Sequence, residues 1–574
     1  MIRVERARDG TLLLRGEPLV AHASTWNALL DDAARRAPHR AFLVERDARD
    51  VWHEATFATV AERSRRIGAA LLALGASATR PLMILSGNGI DHALMTFGAL
   101  RMGIPVAPVP PGAALSARND FARLRALIAI VRPGVVFARD GAVFAAAVRG
   151  AARDAAFVAV SEPPAGARAH DYELLLQHAK LSDDAMPAEG SAVVNGETVA
   201  KIVFTSDAAG EPKGVVTSHT MLCAMLQGFA QAWPFLDEHL PVIVDRLPWS
   251  GAFGGNVVLG IALRHAGTLY IEDGDSTTVE RLERSARLRA EVQPTLAFDV
   301  PRDWAMWARR LRENDPLRRR WLERLDRACW TGATLAPAAR DALRAIGVPL
   351  SAAWGATETS GAVTLTSGGG DPKSGDPRYD ALGVPLAGVE LKLVPSGDAY
   401  VAHVRGPQVM NGYYWRPDLN AAAFDEDGFF RTGDVVRPVH ARAPARGLAY
   451  VRRTDERFKV SSGSWARGAE LRAAFLTECS DAAEVLVSGQ GRDEIGVLVW
   501  PTEAARRLER DVLRAQIADA LRRVSRGTGK AEALRRALIV ETQLTTREQA
   551  AALTRLHASL PDAEVIVTQR SDDA

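Results

Sequence analysis

Apolar residues in the first half of the chain recur at two alternating periods. FATVAERSRRIGAALLALG, residues 57–75, spaces them by three and four and predicts an amphipathic helix. PLMILSG, residues 81–87, is a short apolar run ending at a turn and predicts a buried strand. HALMTFGALRMG (helix), IPVAPVPPG (strand and turn), FARLRALIAIVRP (helix) and GVVFA (strand) continue the alternation. Repeated strand–helix units imply a mostly parallel sheet covered by helices. From about Ala381 the pattern shortens into GVELKLV, AYVAHVRG and FFRTGDVVR, which predicts a β-rich subdomain. Beyond YVRRTDERFKV, AEVLVSG and IGVLVWP read as strands, EAARRLERDVLRAQIADALRRVS as one helix and ALIVET as a final strand. The expected fold is a large α/β N-terminal domain of layered sheets plus a β-rich subdomain, residues 1–452, and a small α+β C-terminal domain, residues 453–574.

Composition narrows the function classes. A chain of 574 residues calls for more than one domain. A formal net charge of +2 provides no strong field for nucleic acid or an anionic membrane surface. The start, MIRVERARDG, lacks the apolar core of a signal peptide, and no apolar run is long enough to span a bilayer. Cys223, Cys329 and Cys479 lie far apart, suit a reducing compartment and offer neither a disulfide framework nor paired metal-ligand spacing. A cytoplasmic enzyme, monomeric or homodimeric, is the expectation.

The candidate chemistry begins at residues 203–216, VFTSDAAGEPKGVV. A strand, Ile202–Phe204, runs into Thr205 and Ser206; a turn at Gly210 and Pro212 follows, then Lys213 and Gly214. This resembles a phosphate-binding loop, with Asp207, Ala208 and Ala209 where hydroxyls and glycine would be expected. A lone lysine is usually a solvated surface group; inside this string Lys213 reads as a phosphate-side cation. The glycine-rich stretch Thr366–Arg378 has no helix start after it, so it reads as a mobile surface loop and not a phosphate cradle.

Seven segments in order resemble the adenylate-forming acyl-CoA synthetases, nearest to the bacterial feruloyl-CoA (hydroxycinnamoyl-CoA) synthetases. They are TSDAAGEPKGVV, DRLPWSGAFGGN, TLYIEDG, WGATET, GVELKLVP, VRGPQVMNGYYWRPDLNAAAFDEDGFFRTGD and RRTDERFKVSSGSW, and they extend over nearly the whole chain. The resemblance implies that the C-terminal domain is a lid rotating between two half-reactions. It implies ATP, Mg²⁺ and coenzyme A, with a small carboxylate activated as acyl-AMP and then transferred to the thiol of CoA. Thr205, Ser206, Gly210 and Lys213 would face the phosphates together with Thr357, and Glu358 would hold Mg²⁺. Trp354, Gly355, Gly332, Ala333 and Thr334 would receive the adenine, although core packing is an equally good account of Trp354. Asp434 and Arg453 would contact the ribose. Asp455 would be the hinge, and Lys459, Gly463 and Trp465 would belong to the loop that serves thioester formation. Trp249, Gly251, Phe253 and Gly254 would line the acyl pocket, with Gly254 and Gly255 leaving room for a flat ring.

Three departures from that pattern concern one step, adenylation. Asp207, Ala208 and Ala209 remove two hydroxyl donors and add a negative charge. At ~5 Å and an effective dielectric of ~20 that charge repels each phosphate charge by roughly 3 kcal/mol, a loss of about 100-fold in affinity. Asp207 acting as an extra Mg²⁺ ligand would reverse the effect. Ser250-Gly251-Ala252 replaces an Asn-His-Thr string. Arg547 aligns with the lid lysine that bridges carboxylate and α-phosphate, although a plain helix-start arginine is an equally good reading. Three functions stay open: an acyl-CoA ligase acting on an aromatic acid with modified adenylation, a non-adenylating homologue that binds nucleotide or acyl thioester, and an enzyme repurposed for amide formation or the thioester step alone.

Overall fold

The computed structural model describes residues 2–47, 49–115, 121–162, 169–173, 194–206, 212–272, 279–332, 335, 337–366, 382–454, 457–459, 465–489, 492, 494–526, 533–542, 544, 546–558 and 564–568. Its architecture is the expected one, a large α/β N-terminal part followed by a small α+β C-terminal part.

One sheet has seven strands in the order Pro212–Ser218, Val199–Ser206, Val106–Pro108, Leu82–Ile84, Val135–Asp140, Ala156–Ser161, Ala169–Asp171. All neighbours are parallel except the first pair, whose register sets Lys213 opposite Thr205. Leu82–Ile84 has the following strand on one side and a later one on the other. The chain therefore reverses its winding there, the position at which open α/β sheets generally bind ligands beyond the carboxyl ends of their strands. The segment Leu85–Gly89 emerges into this region and leads into the helix Ile90–Arg101, which is buried on nearly every face.

A second sheet has nine strands, with Leu350–Trp354, Arg327–Trp330, Leu296–Asp299, Val242–Asp245, Thr268–Ile271 and Ala41–Arg46 side by side and parallel. Antiparallel strands close both ends, Thr364–Leu365 with Val384–Pro385 at one and Trp52–Thr56 at the other. The parallel strands bury almost every side chain, which is why they read as continuous apolar runs.

The β-rich subdomain is a six-stranded antiparallel sheet, and it includes a part that the sequence reading left out. Arg3–Arg6 and Leu12–Arg15, from the very start of the chain, pair with Glu390–Ser396; Ala399–Arg405, Phe430–Pro438 and Leu448–Arg453 complete it. Leu12 and Leu14 are buried while Leu13 and Arg15 are only half-covered, the alternation of a strand with one face on a core.

The C-terminal part has a four-stranded mixed sheet, Ala482–Ser488, Ile495–Pro501, Leu534–Ile539 and Val565–Val567, around its own core of Phe475, Val497, Ile517, Leu521 and Leu534. Two expectations change here. The helix expected over residues 503–525 splits into a 3₁₀ turn, Ala505–Arg507, and a helix, Arg510–Ser525, because Glu509 is extended with ψ 139°. Leu534–Ile539 is followed by one more strand, so ALIVET does not end the sheet. Among the described residues no helix is long and apolar enough to cross a membrane.

Candidate active site

Two hydrogen-bonded chains of side chains meet on the short segment Trp354–Ser360, which follows the carboxyl end of a parallel strand. Gly355 starts it. A Cβ on Gly355 would lie 2.6 Å from Ala362 Cα and 2.8 Å from Ala362 N, so only glycine lets the chain turn back this tightly. Thr357–Thr359 form a single 3₁₀ turn and Ser360 ends it in the left-handed region at φ 59°. The turn leaves Thr357 half-buried and directs Glu358 inward.

The first chain runs towards the strand Pro212–Ser218. Tyr413 donates its hydroxyl proton to Glu358 Oε1 at 2.9 Å. Lys213 Nζ donates to the same phenol oxygen at 3.3 Å and sits 4.5 Å from the ring centroid. Burial and the Glu358 carboxylate both push the Tyr413 phenol well above its usual range, so it stays protonated as the donor. Backbone contacts fix this alignment. Tyr414 N–H donates to Gly214 O at 2.7 Å, and Met410 N–H to Glu358 O at 2.8 Å. The stretch Gln408–Tyr414 thus lies along both the Glu358 turn and the Lys213 strand.

The second chain runs the other way. Trp354 Nε1–H donates to Asp434 Oδ2 at 2.9 Å, and Arg453 donates to Asp434 Oδ1 at 3.1 Å. Asp434 and Arg453 are opposite each other on neighbouring antiparallel strands. Trp354 is only 7% exposed. Its packing and its bond to Asp434 account for its position. Gly332, at φ 85°, follows the carboxyl end of Arg327–Trp330, next to the strand that leads to Gly355.

The third element is the segment expected to line an acyl pocket. Phe253–Val258 form one π-helical turn that runs on into the helix Leu259–Arg264. π turns are rare and are often found at functional sites. Phe253 is half-buried, 5.9 Å from Phe298, and Trp249 is buried with its ring edge-on to His92 at 5.2 Å. The role expected for Gly254 and Gly255 changes. A Cβ at Gly254 would lie 2.5 Å from Leu247 O, and one at Gly255 would lie 2.2 Å from Trp249 O. Their missing side chains make room for backbone, not for a flat ring. Gly251 is less confined, its nearest neighbour being Pro248 O at 3.3 Å.

Of the other residues singled out in the sequence, Thr205 is the last but one of its strand, half-buried and opposite Lys213. Only backbone is described for Ser206, at the end of the same strand, for Lys459 and Trp465, which pair with each other on a two-stranded sheet, and for Arg547, the second residue of the helix Thr546–Leu556. Asp207, Gly210, Ala333, Thr334, Asp455 and Gly463 lie outside the described residues, as does most of the glycine-rich stretch after Thr366.

Sequence reasoning missed three residues. Tyr413 lay inside a quoted string, VRGPQVMNGYYWRPDLN, but only its contacts single it out. Asn88 donates to Leu247 O at 2.9 Å and accepts from Trp249 N–H at 2.8 Å. Lys201, 3% exposed, donates to Gly255 O at 2.5 Å and lies 4.4 Å from the Trp26 ring centroid. Burial lowers its pKa to about 7.

Comparison with known proteins agrees with this arrangement. Residues 30–414 match the family described as AMP-binding enzyme. An indoleacetate–CoA ligase of Aromatoleum aromaticum is 29% identical over 468 residues, 77% of this chain and 82% of the ligase. A carboxylic acid reductase of Mycobacterium tuberculosis is 27% identical over 393 residues, 63% of this chain but only 32% of the reductase. The chain thus spans about a third of that relative's length. ATP-bound MatB from Rhodopseudomonas palustris has the same fold, with a TM-score of 0.67 at 19% identity over 93% of this chain and 99% of MatB. The A domain of a carboxylic acid reductase from Segniliparus rugosus, in complex with AMP and a co-purified carboxylic acid, reaches a TM-score of 0.64 at 19% identity over 91% of this chain and 89% of that one. From the match over most of its length, the chain belongs to the AMP-binding enzyme family.

Proposed function

We propose that the protein is an ATP-dependent acid–thiol ligase that activates a flat, aromatic carboxylate of the hydroxycinnamate type as its adenylate and transfers the acyl group to coenzyme A. One observation carries the nucleotide part of the reading, and the aromatic acid is taken from the sequence resemblance alone. The Trp354–Ser360 segment is tied at one end to Asp434 and Arg453 and at the other to Tyr413 and Lys213. A nucleotide lying across it would meet a carboxylate acceptor for its ribose hydroxyls on one side and a cation for its phosphates on the other. A carboxylate acceptor such as Asp434 suits a vicinal diol. The family expectation for Thr205, Ser206, Gly210, Gly332, Ala333 and Thr334 completes this nucleotide cradle. The division of the chain near Arg453 into a core and a rotating lid hinged at Asp455 belongs to the same reading.

In the first step a carboxylate oxygen attacks the α-phosphorus, the bond to the bridging oxygen breaks, and pyrophosphate leaves. Lys213 offsets the charge on the departing phosphates. Its neighbour Tyr413 holds Glu358 in place through the phenol proton. Among the described residues no cluster of three His, Cys, Asp or Glu side chains could hold a metal, and a Mg²⁺ ion, which keeps several waters, fits a single carboxylate. Glu358 would hold it, and when bound it neutralises phosphate charge. In the second step the CoA sulfur attacks the acyl carbon, and AMP leaves with the bonding electrons. Lys459, Gly463 and Trp465 are assigned to this step, and Arg547 to the lid side of the first.

A second reading follows from one sequence observation. Asp207, Ala208 and Ala209 weaken a polyphosphate site while the Glu358 and Asp434 elements are intact. A homologue that binds AMP, acyl-AMP or an acyl thioester without efficient adenylation would have this composition. A pyrophosphate-release screen over many carboxylic acids, with CoA and with amines as acceptors, separates the two. Acid-dependent release with thioester formation supports the ligase. Binding of AMP with background ATP–pyrophosphate exchange supports the second reading, and absence of any adenosine binding overturns both.

A further inference from the structure

The π turn Phe253–Val258 is held from behind by two side chains that no step above uses. Asn88, in the segment that follows Leu82–Ile84, grips the backbone of the preceding bend with both atoms of its amide, donating to Leu247 O and accepting from Trp249 N–H. Lys201 belongs to the strand that ends in Thr205 and Ser206, and its ammonium meets the carbonyl of Gly255 within the π turn itself. His92 packs edge-on against the ring of Trp249, the residue whose N–H Asn88 accepts from. Gly254 and Gly255 of the π turn pack directly on the backbone of Leu247 and Trp249, the two residues that Asn88 holds.

Lys201 is an expensive way to fill this space. A buried amine facing a carbonyl and a ring, with no carboxylate among the described residues paired to it, costs stability that an apolar side chain of similar length would not. What it supplies instead is a directed donor on one carbonyl. Asn88 likewise spans 161 residues to make two bonds to a bend that could have been closed locally.

We propose that Asn88 and Lys201 are positioning residues that fix Leu247–Val258 in the shape that admits the acid, and so determine which acids enter. The inference rests on the reading of this segment as the acyl wall. Because Lys201 and Thr205 share one strand, the clamp also sets the acyl wall against the phosphate side of the site.

The test uses the full chain and the variants Lys201→Met, Lys201→Gln and Asn88→Asp. Amide hydrogen exchange is measured by mass spectrometry, and steady-state pyrophosphate release is measured with ferulate and with hexanoate. Lys201→Met is expected to speed exchange in residues 249–258 by about tenfold or more and leave residues 350–365 unchanged. It is also expected to change the ferulate-to-hexanoate ratio of kcat/KM by about fivefold or more while the KM for ATP stays within about twofold. Lys201→Gln, which retains a donor, should recover part of both effects, and Asn88→Asp, which keeps the acceptor and loses the donor, should resemble a half-clamp. Unchanged exchange in residues 249–258, an increase spread evenly over the chain, or an unchanged acid ratio overturns the proposal. If the wild type releases pyrophosphate with no acid at all, the proposed function and the acid-selecting role fall together. The exchange pattern then decides the clamp alone.

Discussion

The Tyr413 hydroxyl donates to the Glu358 carboxylate at 2.9 Å, and it is the one side-chain link between that carboxylate and Lys213 among the described residues. The phenol is a donor to one and an acceptor from the other, so its proton sets the direction of the whole chain. Phenylalanine keeps the ring that Lys213 overlies and removes only the hydroxyl. A hydrogen bond to a charged group contributes ~1.5–3 kcal/mol, so Tyr413→Phe should lower kcat/KM for ATP by roughly 10- to 100-fold. KM for the acid should change little. Steady-state pyrophosphate release with each substrate varied in turn checks this.

Asp434 accepts from two donors that face it across different elements. Asp434→Ala leaves the buried Trp354 Nε1–H without that acceptor and removes the proposed ribose contact. AMP affinity should fall by roughly 10- to 100-fold in titration calorimetry, in line with ~1.5–3 kcal/mol for charged hydrogen bonds. The melting temperature should fall as well. Asp434→Asn, which keeps one acceptor oxygen, should lose less of both.

Lys201 gives stability a pH dependence of known sign. Its pKa in the folded chain, about 7, lies below the ordinary lysine value of 10.5, so between those pH values the unfolded chain binds the proton and the folded chain does not. Stability from this group therefore rises with pH through that window, and its penalty is complete below about pH 7. Lys201→Met removes the penalty. The variant's stability advantage over the wild type should be greatest at pH 6–7 and shrink towards pH 10, read by urea denaturation at fixed temperature. His92 and His219, each lowered to about 4 by burial, act in the same direction at lower pH, stability falling as pH drops from 6.5 towards 4.

Gly355→Ala should be destabilising by ~1–3 kcal/mol, because the new methyl meets backbone that cannot turn aside. Gly87→Ala, where nothing lies within 4 Å of the added carbon, is the control and should be close to neutral. Denaturation midpoints of both, with AMP binding of the folded proteins, test whether the tight turn serves the nucleotide element.

Replacing Asp207, Ala208 and Ala209 together by Gly, Ser and Thr removes a charge and adds two hydroxyls. ATP affinity should rise by up to about 100-fold, the electrostatic magnitude for one nearby charge. AMP affinity should stay constant, because AMP lacks the outer phosphates. Competition titration of ATP against AMP measures both at once.

The sequence by itself was enough for the fold class and for the alternating elements of the first half. Hydrophobic period is a local property, so the alternating strands and helices up to residue 138 were readable from spacing alone. Strings such as WGATET and RTGD marked where nucleotide chemistry would gather. Only the tertiary structure decided which side chains meet. Tyr413 reaches Lys213 across 200 residues and Asn88 reaches Trp249 across 161, distances over which no periodic signal survives. Trp354 looked equally suited to stacking and to packing, and its bond to Asp434 across 80 residues is visible only in the fold. Gly254 and Gly255 looked like space for a ligand until backbone was found filling it. Lys201 stands in an apolar strand as if by accident, and its meaning comes from the one carbonyl that folding brings to its tip. Local pattern fixes the elements because it depends on neighbours in sequence; the site depends on neighbours in space, which the chain acquires only when it closes.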